Sequence, residues 1–433
     1  MDRLACDIAV IGAGAAGLAT AVFARRMNSA ASVVVFDGAK SPGAKILVSG
    51  GSRCNVTNIV VSEHDFCGGS PAWVRRVLRG FPVPDTIAFF RDIGVSLHEE
   101  PDGKLFPDTN RARDVLNAML AALAEAGAML RPAARITDVQ PDAGGFRLLL
   151  ADGVAHAHRV VLATGGQSLP KTGSDGAGFA IAARLGHTIV PTTPALVPLL
   201  LEENDEAIHH ELTGVAQPVE LSVWVDDRLQ LRLAGPLLWT HFGVSGPVAL
   251  NASRHWLRAQ LDGRACRLTV NFCPGEDFPT IDGRWTAMAA ERPKASVQTA
   301  VAASLPASVA AVVLRRLRVD PLTELAHLAR EDRRRLVHGL AAWPLAVVGS
   351  RGYNYAEVTA GGVALTDIDP STLASRRCPG LFFVGEILDV DGRIGGFNFQ
   401  WAWSSAHVAA RALAKQARKA IARERTHVPS EMG

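Results

Sequence analysis

Four apolar residues, Ile8 to Ile11, run straight into three glycines spaced G-x-G-x-x-G, Gly12, Gly14 and Gly17, and then into an alanine-rich stretch of helical period. This order constrains the fold more than any other feature of the chain. A short apolar run with β-branched residues reads as a buried strand. Each glycine has its own task. Gly12 permits a tight turn, Gly14 lets backbone approach a pyrophosphate, and Gly17 lets the helix press on the strand. Free N–H groups around Ala15 and Ala16, at the positive end of that helix, hold phosphate oxygens. A second apolar run, Val33 to Phe36, ends in Asp37 and Gly38, where a carboxylate accepts hydrogen bonds from ribose hydroxyls. Strand, turn, helix and acid together predict a dinucleotide-binding Rossmann unit; the glycines alone do not.

With 433 residues the chain has room for two or three domains, and its 48% hydrophobic and 20% charged residues are ordinary for a globular protein. A net charge of +3 is too small to imply a polyanionic partner. Arginines do cluster locally, at 75, 76 and 79, at 315, 316 and 318, at 330 with 333 to 335, and along a tail from Arg411 to Arg425. These read as solvated helix faces or, more sharply, as a surface for RNA or anionic metabolites. None of the six cysteines forms C-x-x-C, so neither a thioredoxin-type disulfide nor a zinc site is signalled, and no metal is expected. No cleavable leader and no membrane span are expected, which places the protein in the cytoplasm.

Residues 38–58 are rich in Gly, Ser and Asn and read as an extended loop along the cofactor. Lys45, Gly50, Gly51, Arg53, Cys54 and Asn55 are its chemical residues. Arg53 suits a phosphate, Asn55 suits a flavin ring edge, and Cys54 reads as a small packing residue. Helices are expected over 70–93, interrupted by proline, and over 111–126. A hairpin is expected over 97–109 and a β-meander over 135–166, ending in Ala163, Thr164, Gly165 and Gly166. That A-T-G-G turn is typical of large FAD proteins. No second nucleotide fold follows, so no separate nicotinamide domain is expected.

From 191 to about 274 short Val- and Leu-rich runs predict an antiparallel sheet or small barrel. Within it Thr240, His241 and Ser245 stand close together around Gly243 and Gly246. No acid orients His241, so a triad is rejected. These three are the candidate catalytic residues of a substrate-lining or flavin-facing loop, with a plain structural turn as the alternative. Residues 291–342 read as a small helical insert. The chain then returns through strands to Leu381–Val384, Gly385 and Glu386. Asp391 follows, and Gly395, Gly396, Phe397 and Asn398 open a long amphipathic helix. A carboxylate after that strand suits ribityl hydroxyls, and the helix N-terminus suits the flavin edge where negative charge collects on reduction. This last segment decides for FAD over NAD.

Taken together, IGAGAAG (11–17), SGGSRCNVTN (49–58), DGKLFP (102–107), LATGGQSLPKTGSDG (162–176), THFGVSGP (240–247) and GEILDVDGRIGGFNFQWA (385–402) resemble the bacterial aminoacetone-oxidase-type FAD-binding flavoproteins. These sit within the glutathione-reductase-like FAD superfamily. The resemblance implies an α/β fold: a Rossmann-like FAD domain (1–190 and 353–433) split by a β-barrel-like domain (191–275 and 340–352) and a helical insert (276–339). Two departures are Ser52, where the family commonly has glycine, and Ser405-Ala406, where Ser-Gly is usual. The resemblance carries FAD binding over but leaves the activity open. The first expectation is hydride transfer between flavin N5 and a small amine or conjugated C=C substrate, with NAD(P)H or oxygen as redox partner. The alternatives are an RNA-modifying reductase that converts uridine to dihydrouridine, and a non-catalytic interaction protein stabilised by FAD.

Overall fold

The computed structural model describes residues 4–204 and 207–426, with side chains through Lys415. The chain divides into two compact units, Met1–Thr192 with Glu357–Gly433, and Thr193–Ala356.

The first unit is built on a parallel sheet. Its strands run in the order Met129–Arg131, Val33–Phe36, Leu4–Ile11, Gly153–Leu162, and the last of these also pairs with Leu381–Phe383. Ile11 lies opposite both Phe36 and Leu162, and Leu162 lies opposite Phe383, so the strands that lead into the glycine turn, Asp37, the A-T-G-G turn and Gly385 end level with one another. That shared edge, at the carboxyl ends of parallel strands, is where such sheets bind ligands. All four residues of Val33–Phe36 and all three of Leu381–Phe383 are buried, which is why these strands read as unbroken apolar runs. The strand Gly153–Leu162 also carries the predicted meander, pairing antiparallel with Gly145–Leu150, which pairs with Ile136–Asp142.

The first helix, Ala15–Met27, is buried from Ala16 to Ala24. Its small side chains let it pack between the sheet and the last helix, Phe397–Thr426. The predicted hairpin is Leu97–Glu100 with Lys104–Pro107, turned at Asp102 and Gly103, both at positive φ. The stretch predicted as a loop after Gly38 instead contains a helix, Ala44–Ser52, whose regular part ends at Ser49, Gly50 and Gly51. Ala44 to Val48 forms one apolar-edged turn with Ile46 buried. The glycines that argued against a helix serve to break it.

The second unit holds a seven-stranded antiparallel sheet in the order Trp343–Leu345, Cys266–Asn271, Ala216–Val225, Arg228–Thr240, Gly243–Ser245, Leu199–Leu201, Val347–Ser350. The two outermost strands are joined by Ala346 alone. Since successive Cα atoms are only about 3.8 Å apart, the sheet must curl until its edges nearly meet, which accounts for the barrel-like character expected from sequence. Its longest hairpin turns at Asp226 and Asp227, both at positive φ, the geometry of a two-residue hairpin loop. A helix, Pro247–Leu261, follows the Thr240–Ser245 segment. The sequence reading placed the whole of 191–274 in an antiparallel sheet and did not expect this helix; Gly246 and Pro247 are its N-cap and first residue. The sheet and the helices Phe278–Glu291, Val297–Ala302, Ala307–Arg316 and Arg330–Ala341 share one hydrophobic core.

Candidate cofactor site

The glycine turn has the geometry its spacing predicts. Gly12 has φ +107°, and a Cβ there would lie 2.4 Å from the Ala163 carbonyl oxygen. A Cβ on Gly17 would lie 1.8 Å from the Gly12 oxygen. A Cβ on Gly14, by contrast, meets no atom within 4 Å. Gly14 caps the first helix with no side-chain hydrogen bond, and no acid stands in its first turn. The N–H groups there and the helix dipole are therefore open to an anion. Thr164 Oγ1 and Ser174 Oγ are buried without a protein partner beside the Gly165 turn, which has φ +70°. Buried hydroxyls of that kind call for a ligand or water. The residues present fit a dinucleotide.

Asp37 is engaged differently from the expectation. Its Oδ2 accepts from the Ala13 N–H (2.6 Å) and its Oδ1 from the Ala39 N–H (2.8 Å), so the carboxylate braces the glycine turn. Gly38 packs against the side chain of Arg135.

The last segment closes on the first. Gly385 has φ +74°, and a Cβ there would lie 2.7 Å from Ala16 Cβ. Its N–H donates to Ser405 Oγ (3.0 Å) and its carbonyl accepts from Trp401 Nε1 (3.0 Å). Glu386 organises a cluster rather than standing free. Its Oε2 accepts from Lys45 Nζ (2.5 Å), and its Oε1 accepts from Ser168 Oγ (2.8 Å) and the Thr359 N–H (2.9 Å). Lys45 also donates to Ser168 Oγ (2.5 Å). Glu357, which the sequence reading missed, adjoins this cluster. Its side chain keeps solvent contact, yet the surrounding protein pushes its carboxyl pKa up, against the pull of Lys45. No sequence pattern marks it.

The loop 49–58 and the start of the last helix are clamped together. Gly396 has φ +94°, and a Cβ there would lie 2.5 Å from the carbonyl carbon and oxygen of Thr57. The Asn55 amide accepts from the Gly396 N–H (3.1 Å) and donates to the carbonyls of Thr57 (2.8 Å) and Leu105 (3.2 Å). Asn58 donates to the Gly395 carbonyl (3.2 Å). Asn398 bonds both the N–H and the carbonyl of Gly392. Phe397 is fully buried, with the Arg393 guanidinium over its ring, and Asp391 is buried in a strand beside Cys67. Asn55 and Asn398 are thus engaged with backbone and Phe397 with the core. Gln400, another residue missed, ties Thr57, Thr86, Ser404 and the Phe81 carbonyl together. Its signal was a polar residue on the apolar face of a helix.

Arg53, expected on a phosphate, pairs with both oxygens of Glu100 and lies over the Phe106 ring; that hydrogen bond holds the Glu100 carboxyl below the usual range. Cys54 is fully buried, with its thiol pushed up to about 12 by burial, which makes it inert packing. Gly50 abuts Asn55 N and Phe106, and a Cβ on Gly51 would meet nothing within 4 Å.

In the second unit Thr240, His241 and Ser245 share one tight hairpin, Thr240 lying opposite Gly243 and Ser245 opposite Leu238. Thr240 Oγ1 is buried without a partner, and among the described residues the exposed His241 ring has no acid beside it. Of the arginine clusters, Arg315 and Arg316 pair with Glu211, and Arg333 with Asp282. The side chains of the tail beyond Lys415 lie outside the described residues. No helix among the described residues is long and apolar enough to cross a membrane.

Comparison with known proteins agrees with this geometry. Residues 6–412 match the family described as HI0933-like protein Rossmann domain. The ribosomal RNA dihydrouridine synthase of Escherichia coli is 33% identical over 95% of this chain and 98% of its own. The 3-dehydro-bile acid delta(4,6)-reductase of Clostridium scindens is 30% identical over 94% of this chain and 99% of its own. In fold, a quinol-fumarate reductase structure with menaquinol superposes with a TM-score of 0.50 at 15% identity, over 97% of this chain and 72% of that one.

Proposed function

The chain belongs to the HI0933-like Rossmann-domain family and is an FAD-dependent oxidoreductase, and from that premise we propose that it works as a reductase, adding a hydride and a proton across an electron-poor C=C bond. The carrying observation is the closure of the last segment on the first, Gly385 on Ala16 and Gly396 on Thr57, at the edge where the parallel strands end. When bound, FAD supplies the hydride chemistry. The chain supplies the rest. Backbone N–H groups from Gly14 to Ala16 hold the diphosphate. Lys45, fixed by Glu386 and Ser168, and the N-terminus of the last helix place positive charge where negative charge develops. Glu357 holds its proton to higher pH than an ordinary glutamate and is the acid for the second hydrogen.

The names of the relatives, a dihydrouridine synthase and a delta(4,6)-reductase, describe reductions of C=C bonds and favour reduction over amine oxidation. They also keep uridine in RNA beside small enones as a substrate class. Anaerobic titration of the holoprotein tests the reading. NADPH or NADH is expected to bleach the visible flavin band, and an enone or a uridine-containing RNA to restore it. Bleaching by amines with no response to nicotinamides would overturn it.

A further inference from the structure

Five arginines in the described residues lie over aromatic rings, and four of them also hold a carboxylate: Arg26 with Asp92, Arg53 with Glu100, Arg267 with Asp227 and Arg393 with Asp65. Arg351 is the fifth. It lies over two rings, Tyr355 at 3.5 Å and Phe242 at 4.6 Å from the ring centroids, and has no acid partner among the described residues.

The placement follows from the sheet of the second unit. Leu199–Leu201 is flanked by Gly243–Ser245 on one side and by Val347–Ser350 on the other. Phe242 precedes the first of these strands and Arg351 follows the second, with their backbones fixed by Leu201 N–H to Phe242 O (3.1 Å) and Arg351 N–H to Pro198 O (3.1 Å). Tyr355 stands one helical turn beyond, on Tyr353–Tyr355, and is 51% exposed.

A guanidinium stacked on rings keeps N–H donors along its edge, in the planar fork that fits two oxygens of a phosphate. Stacking also fixes its orientation before any ligand arrives. An exposed tyrosine ring beside it offers a base a surface to stack on. We propose that Arg351, Phe242 and Tyr355 form a nucleotide-binding site, with Arg351 taking the phosphate and Tyr355 the base. The nucleotide is free or part of a single RNA strand. The site rests on the reductase reading only for the choice of uracil as the base.

Binding is therefore measured, not turnover. The holoprotein is titrated calorimetrically with uridine 5′-monophosphate, an oligouridylate and inorganic phosphate, in parallel with Arg351→Lys, Tyr355→Phe and Tyr355→Leu. Arg351→Lys is expected to weaken both uridylates at least about tenfold, since lysine cannot form the fork. Tyr355→Phe should leave them unchanged, and Tyr355→Leu should weaken the uridylates more than inorganic phosphate, since it removes the surface for the base as well as one of the two rings that orient Arg351. Tighter binding of the oligomer than of the monophosphate assigns the site to RNA; equal binding assigns it to free nucleotide. Wild-type affinity in Arg351→Lys, or equal affinity for monophosphate and inorganic phosphate in the wild type, overturns the proposal. Flavin bleaching by NADPH, recorded on the same samples, reports the reductase reading separately.

Discussion

Gln400 in the first unit and Gln217 in the second are both almost wholly buried, and they differ in what they hold. Gln400 makes four hydrogen bonds, to Thr57, Thr86, Ser404 and the Phe81 carbonyl. Gln217 leaves both amide atoms without a protein partner. The contrast runs wider. The first unit fixes its loops with side-chain bonds to backbone, from Asp37, Asn55, Asn58, Asn398, Trp401 and Trp403, and with glycines that admit no side chain. The second carries buried polar atoms without partners within its sheet, at Trp239 and Thr240 as well, whereas in the first Thr164 and Ser174 leave theirs at the turn beside the candidate cofactor site. A fully satisfied polar network defines one arrangement of backbone. A surface that must present bare N–H groups to a dinucleotide needs that definition; a sheet packed on helices does not.

Two glycines break this comparison most sharply. Gly396 and Gly263 both have positive φ, +94° and +66°, but a Cβ on Gly396 would strike Thr57 backbone at 2.5 Å, and one on Gly263 would meet nothing within 4 Å. Gly263→Ala should cost only the left-handed backbone, about 1 kcal/mol. Gly396→Ala should cost about 2–5 kcal/mol and strip FAD from the protein, because it adds overpacking and parts the last helix from the 55–58 loop. The ratio of visible to ultraviolet absorbance after gel filtration reads the loss. Full retention of flavin by Gly396→Ala would show that the clamp does not shape the site.

Acid should separate the units next. His255, on the helix Pro247–Leu261, has its pKa lowered from 6.5 to about 4, first by burial and then by Arg254. A base whose folded pKa is depressed gives stability that is whole above pH 6.5 and is lost as pH falls through about 4. At one pK unit per about 1.4 kcal/mol, the second unit stands to lose up to about 3 kcal/mol over that window. His255→Gln should flatten this acid limb. Hydrogen exchange across residues 247–261, compared at about pH 7 and about pH 4.5, reads it locally. An unchanged pH slope in the variant would remove His255 as the cause.

The halves also differ in how far they can be read from sequence. The parallel strands, the first helix and the hairpin at Asp102-Gly103 are legible because local period and turn chemistry agree there with the final fold. The jobs of individual polar residues are less so. Asp37, Arg53 and Glu386 have the residue types that a cofactor wants, but their partners, Ala13, Glu100 and Lys45, come from distant parts of the chain. Glu357 has no local signal at all, since its raised pKa arises from the protein packed around it. In the second unit Gly246 and Pro247 mark a helix start as well as a break, and only the packing of Val248, Ala252 and Trp256 decides between them.

The smallest effect concerns Ser52, where the family resemblance expects glycine. It follows Gly50 and Gly51 in a left-handed run, with φ +66° after +54° and +67°. A serine there pays about 1 kcal/mol or slightly more that glycine does not. Its side chain is exposed and makes no hydrogen bond among the described residues, so nothing offsets that cost in the folded state. Glycine returns some of the gain through the greater freedom of its unfolded chain. Ser52→Gly should therefore stabilise the first unit by about 0.5–1 kcal/mol, a rise of roughly 1–3 °C in the flavin-release temperature for a unit of this size. The same change at Arg318, which has φ +53° in the second unit, should gain less, because the Arg318 carbonyl accepts from Arg335 and the turn is already held. A larger gain at Arg318 than at Ser52 would mean that backbone strain, not bonding, is what sets the two units apart.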